Sequence, residues 1–221
     1  MIGHRSAAGR LRVALGLLLI AEAALAARSG AGEAVEAAVV DAGGKPVADA
    51  VVFVYELPGR SFPPPAEPLV MDQIRKEFVP HVLPVLVGSS VRFPNMDDIH
   101  HHLYSFSPAK TFELPLYKGT PAQPVVFDKK GVVKLGCNIH DWMSAVVLVL
   151  QNPYFAVTDA EGRARLPRPA GRGWELAVFH ERLAGPVDAT RRKALPGREK
   201  ISWTISLKPE RKRRQPAPSS L

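Results

Sequence analysis

One seven-residue run constrains the fold of this 221-residue chain more than anything else in it: Cys137-Asn138-Ile139-His140-Asp141-Trp142-Met143. It places a thiol, an imidazole and a thioether at positions i, i+3 and i+6, with a second source of imidazole, His100-His101-His102, well upstream. Soft sulfur donors select copper or zinc, and a His2Cys plane with a weak axial methionine is the version that passes single electrons. A chain using these groups together must fold so that one loop and one distant strand meet. Gly136 allows a sharp exit from the strand that precedes it, and a tight turn stepping three residues at a time brings 137, 140 and 143 to one side. Asn138, Ile139, Asp141 and Trp142 then face elsewhere. Three donors on one loop also keep rearrangement between oxidation states small.

Cys137 is the only cysteine, which matters because the N-terminus reads as an export signal. Arg5, Arg10 and Arg12 precede an apolar run, Val13 to Ile20, and Ala24-Leu25-Ala26 offers a cleavage site, so residues 1–26 are expected to be a signal peptide. The other reading is an uncleaved membrane anchor; Glu22 and the shortness of the apolar run argue against it, and no integral span is expected after cleavage. The destination is a periplasm or similar oxidising space. A lone thiol there is an oxidation hazard unless it is buried or bonded to a metal.

The formal charge of +8 is unevenly spread. About +2 leaves with the leader and about +4 sits between Lys208 and Arg214, so the body is nearly neutral. Residues 209–221 form a basic, apolar-poor tail, expected to be disordered and solvated, with contact to anionic lipid or an acidic redox partner as the other reading. No basic face interleaved with aromatics appears, so nucleic acid is not an expected partner.

Between the ends the pattern is all-β. Strands are predicted at Val35–Val40, Val47–Tyr55, Phe78–Val87, Ser90–Phe93, His102–Phe106, Val125–Phe127, Val132–Leu135 and Ala145–Leu150, with further ones around Phe155, Arg163, Trp174–His180 and Ile201–Leu207. Gly88, Pro94-Asn95, Gly119 and Asp128-Lys129-Lys130 supply turns, and Ser61-Phe62-Pro63-Pro64-Pro65 is a loop or stiff linker.

Two resemblances give this pattern a shape. Gly44-Lys45-Pro46-Val47-Ala48-Asp49-Ala50-Val51-Val52, Thr158-Asp159-Ala160-Glu161-Gly162 and Gly173-Trp174-Glu175-Leu176-Ala177-Val178 resemble elements of a carboxypeptidase-regulatory-like β-sandwich. Residues 33–58 and 151–208 would be its two parts. The stretch 69–150 resembles a cupredoxin of the plastocyanin and amicyanin type. Phe93-Pro94-Asn95, the histidine cluster with Leu103-Tyr104-Ser105-Phe106, and the Cys137–Met143 loop are similar to exported cupredoxins labelled methylamine utilisation proteins. The expected architecture is a Greek-key cupredoxin sandwich inserted in, or packed with, a second small sandwich.

The cupredoxin resemblance implies one type 1 (blue) copper ion held by His101, Cys137, His140 and Met143. His101 is chosen because the ligand in that family falls six residues after an asparagine turn, here Asn95. Where the family has an asparagine tying the two ligand loops together, this chain has His102. Its ring would take over the tie, or would be the ligand itself with the register moved by one. His100 is expected to face solvent. The resemblance implies a periplasmic single-electron carrier, not an enzyme, with a c-type cytochrome or an exported dehydrogenase as partner. Two rivals remain: a copper delivery or storage protein, and a β-sandwich binding protein without a functional metal. Cys137, Met143 and His140 could each be ordinary core or structural residues. His81 and His180 read as structural, and Trp142 as a cover over the metal.

Overall fold

The computed structural model of the chain describes residues 34–194 and 200–210. The expected signal peptide, and the tail from residue 211 onward, lie outside the described residues. Within them the regular elements are strands, apart from one 3-10 turn at Val187–Thr190, so the protein is all-β. Among the described residues no helix is long and apolar enough to cross a membrane.

Two strands, β1 (Ala34–Asp41) and β2 (Val51–Val54), precede the central stretch. That stretch contains β3 (Leu69–Val70), β4 (Asp72–Ile74), β5 (Glu77–Val79), β6 (Val82–Leu86), β7 (Ser89–Arg92) and β8 (His101–Ser107). It continues with β9 (Lys110–Tyr117), β10 (Val125–Phe127), β11 (Gly131–Cys137) and β12 (Ser144–Leu150). A five-stranded sheet of order β6-β12-β11-β8-β9 and a three-stranded sheet of order β10-β7-β3 enclose one core that includes Phe93, Leu103, Phe127, Val133 and Val147. Side chains alternate along β8: His101, Leu103 and Ser105 are buried while His102, Tyr104 and Phe106 face outward, as the period of two requires.

The chain then forms β13 (Phe155–Val157), β14 (Arg163–Pro167), β15 (Glu175–Phe179), β16 (Arg192–Lys193) and β17 (Lys200–Ile205). β1 lies between β14, antiparallel, and β17, parallel, while β2 lies between β13 and β15. These two sheets share a second core that includes Val39, Val52, Leu166, Leu176, Val178 and Trp203. Strands from before and after the central stretch thus complete one another. Thr158 staples them: its Oγ1 accepts Ala50 N at 2.9 Å and donates to Val47 O at 2.7 Å.

A third cluster joins the two halves. Val51, Phe53, Ala177 and Phe179, on the far face of β2 and β15, pack against Val82, Val146, Leu148 and Leu150 on the outer face of β6 and β12. β2 and β12 are therefore covered on both faces, which is why they read as unbroken apolar runs, VVFV and AVVLVL, rather than alternating ones. Each such side chain, fully buried, contributes about 1.5–3 kcal/mol.

Four strand expectations need correction. Phe78–Val87 is two strands with separate partners, β5 with β4 and β6 with β12, because Pro80 has no N–H for a ladder. Val47–Tyr55 shortens to β2, since Asp49 turns the backbone into the left-handed region (φ 56°). Lys110–Tyr117 was not expected as a strand; Pro115 is tolerated because β9 is an edge. β8 begins at His101 rather than His102, which decides where those two rings go.

Candidate metal centre

Pairing of β8 with β11 sets Cys137 opposite Leu103 and Gly136 opposite Tyr104, so Cys137 enters the core end beside His101. Beyond Cys137 the loop is tied back when Asn138 N donates to His102 O at 3.1 Å. The two segments are thus joined through a backbone carbonyl, not through the His102 ring. The turn from His140 to Met143 closes with Met143 N donating to His140 O at 2.9 Å.

These constraints bring three of the four predicted ligands together. His101 Nδ1 and His140 Nδ1 are 3.1 Å apart, and Cys137 Sγ lies 3.7 Å from the first and 3.6 Å from the second. The circle through these atoms has a radius of about 2.0 Å, close to the metal–nitrogen and metal–sulfur bond lengths of about 2.0–2.3 Å usual for imidazole and thiolate. One soft and two borderline donors on a circle of that size fit a single copper or zinc ion. His101 is fully buried and Cys137 is 3% exposed. Met143 is also buried, in the same core as Cys137, and stands directly after the His140 turn.

The rest of the cluster goes elsewhere. His100 is exposed. His102 sits on the opposite face of β8, where its Nε2 lies 2.8 Å from Glu113 Oε1 without the angle of a hydrogen bond. His81 meets Glu181 at 3.0 Å, and buried His180 accepts Arg182 N at its Nδ1. Trp142 is half-buried with its ring centroid 5.2 Å from that of His140, consistent with a cover on that side.

A carboxylate that sequence reasoning did not single out completes the centre. Asp97 Oδ2 lies 2.9 Å from His101 Nε2, the ring nitrogen turned away from Cys137. Burial alone would raise the Asp97 carboxyl, but the bond to His101 and the backbone N–H groups of Lys76 and Arg75 outweigh it and hold the group below its ordinary value. His140 is held below the usual histidine value by burial first, then by His101 and Lys76, which favours the neutral imidazole that a metal requires. The loop carrying Asp97 is braced by Asn95, whose Nδ2 donates to Ile99 O and Tyr117 O at 2.8 and 2.9 Å. Tyr117 in turn accepts from Gln73 Nε2 and donates to Phe93 O at 2.8 Å. Burial, against the Gln73 bond and with Cys137 nearby, pushes its phenol up to about 12, so it remains a donor at neutral pH. Asp97 had a local signal, a carboxylate four residues before His101. Gln73 and Tyr117 had none, because they meet this loop from distant strands.

No protein-family model matches the sequence, and no curated protein does. Similar solved structures include a novel purple cupredoxin from Nitrosopumilus maritimus, 23% identical over 37% of this chain and 99% of that one, with a TM-score of 0.34. A reduced mutant of amicyanin is 21% identical over 39% of this chain and 85% of that one, with a TM-score of 0.36. A Cu-containing nitrite reductase from Thermus scotoductus SA-01 is 21% identical over 52% of this chain and 28% of that one, with a TM-score of 0.37. Cupredoxins and a copper-containing reductase are among the structures this chain is similar to, and the chain itself is an all-β protein with a His-Cys-His group spaced to hold a metal ion.

Proposed function

We propose that this chain is a periplasmic electron carrier holding one type 1 copper ion with His101, Cys137, His140 and Met143. The observation that carries the reading is the convergence of one sulfur and two ring nitrogens, from two separate segments, on a span that one ion can bridge. Bound copper would supply a one-electron couple. His101, Cys137 and His140 would hold the ion, with Met143 as a fourth, weaker donor. Four protein ligands leave no open position for a substrate, which favours a carrier over an enzyme.

His140, at the tip of its loop and half-buried beside the exposed Ile139, is the edge where electrons enter and leave. A c-type cytochrome or exported dehydrogenase would dock there through a small, short-lived contact. Residues 69–150 act as the copper-bearing domain, inserted into a sandwich built from 33–58 and 151–208; the pairing of β1 with β14 and β17 supports that division. The signal peptide expected at residues 1–26 would direct export. A storage role would call on all three clustered histidines, whereas His100 is exposed and His102 lies on the outward face of β8.

The test is the visible and EPR spectrum of the copper-loaded protein beside Cys137→Ala. A strong thiolate-to-copper charge-transfer band, reversible on reduction and absent from the variant, is expected. A wild-type protein without the band, or one unchanged by the substitution, is not this carrier.

A further inference from the structure

The hairpin of β4 and β5 turns through Arg75 and Lys76, both in the left-handed region with φ of 55° and 60°. Two-residue turns of this kind are normally built from Asn-Gly or Gly-Gly, because a Cβ is costly there. Arg-Lys persists in such a conformation only where its surroundings over-determine it. The surroundings here are one carboxylate. Asp97 Oδ1 accepts Arg75 N at 2.6 Å and Oδ2 accepts Lys76 N at 2.8 Å, while Oδ2 also faces His101 Nε2 at 2.9 Å. Asp97 is itself fixed from both sides. Its backbone N donates to Asn95 Oδ1 at 3.0 Å, and the hairpin is joined to the same loop through Gln73 N to Pro94 O and Met96 N to Gln73 O, each 2.9 Å.

An ionised carboxylate only accepts hydrogen bonds, so the hydrogen between Asp97 and His101 belongs to Nε2. That leaves the Nδ1 lone pair of His101 aimed at Cys137 Sγ and His140 Nδ1. We propose that Asp97, gripped by the Arg75–Lys76 turn, is a positioning residue that fixes the tautomer and orientation of His101 before any metal arrives. The proposal rests on the metal-site reading for its purpose, though not for its geometry. The turn is the clamp, Asp97 the arm and His101 the part being held. Such outer partners of a ligating histidine typically change metal affinity by about 10–100-fold when removed.

Nitrogen NMR of the metal-free protein reads the tautomer directly. Wild-type His101 is expected as the Nε2–H form, and Asp97→Ala as a mixture. Asp97→Ala also frees the strained turn, so a second variant separates the two roles. Adding Arg75→Gly and Lys76→Gly to Asp97→Ala restores the stability of the hairpin and leaves the His101 mixture unrepaired. Copper binds both Asp97→Ala variants about 10–100-fold more weakly, with a reduction potential above wild type, because a negative charge favouring the oxidised ion is gone. An Nδ1–H tautomer in the wild type overturns the proposal. So does a triple variant with wild-type tautomer and affinity. Failure of the wild type to bind copper would instead sink the carrier reading, and the metal-free tautomer would still judge the clamp.

Discussion

The Tyr104 ring occupies the space where a side chain at Gly136 would begin: a Cβ there would lie 2.9 Å from both Tyr104 Cζ and Oη. Gly136 thus does more than loosen the exit before Cys137. It lets the neighbouring strand's aromatic ring close over the backbone next to the thiol. Gly136→Ala is expected to push the outer end of this half-exposed ring aside and to cost about 0.5–1.5 kcal/mol, the range for a side chain moved off its rotamer. Urea denaturation of Gly136→Ala, Tyr104→Ala and the double variant checks this. The second change should remove most of the penalty of the first, and strictly additive losses would show that the two groups do not compete.

His101 and His102 are adjacent in sequence and point to opposite faces of β8. His101→Ala should abolish the strong visible band of the copper-loaded protein. His102→Ala should leave that band in place, since it loses outward contacts with Glu113 and the Tyr104 ring and none with the centre. A reversal of these results would mean a strand register shifted by one residue.

Leu148, buried in the cluster between the two halves, tests how strongly they support one another. Leu148→Ala is expected to destabilise the protein by about 2–5 kcal/mol, read by denaturant unfolding. The unfolding curve should shift as a single transition, because the same cluster includes Phe53 and Phe179 from the other half. Separation into two transitions would show that the halves unfold independently.

Burial holds the His180 imidazole below the ordinary histidine value of 6.5, and Arg182 adds to the effect. Glu181 and Asp49 pull the other way, and His81 with Arg182. The unfolded chain therefore binds a proton that the folded one resists. The stability linked to neutral His180 is complete above about pH 6.5 and is lost as pH falls through the lowered folded value. Urea midpoints of the metal-free protein, taken between about pH 8 and pH 5, should fall less steeply for His180→Asn than for wild type. Parallel slopes would rule out His180 as a source of the acid sensitivity.

What could be read from the sequence follows the range of the interactions involved. The Cys137–Met143 loop was legible because its donors are close in the chain and their chemistry is unusual. β8 and β11 were largely legible because alternation and flanking turns are local. Which of His101 and His102 turns inward depends on one residue of register at the start of β8, which pairing with β9 and β11 determines. β9 escaped notice because Pro115 argues against a strand unless its edge position is known. Asp97 was visible as a residue and invisible as a partner, since its role depends on a hairpin tip twenty-odd positions earlier.

The order in which the polypeptide is made gives the third cluster a temporal meaning. Val146 and Leu148 emerge from the ribosome before Ala177 and Phe179, the residues of β15 that help cover them. Synthesis adds about 5–20 residues per second, so this outer surface spends on the order of seconds without its complete cover. During that interval the nascent segment carrying every proposed ligand shows a greasy back to its surroundings, and its maturation must wait for the C-terminal strands.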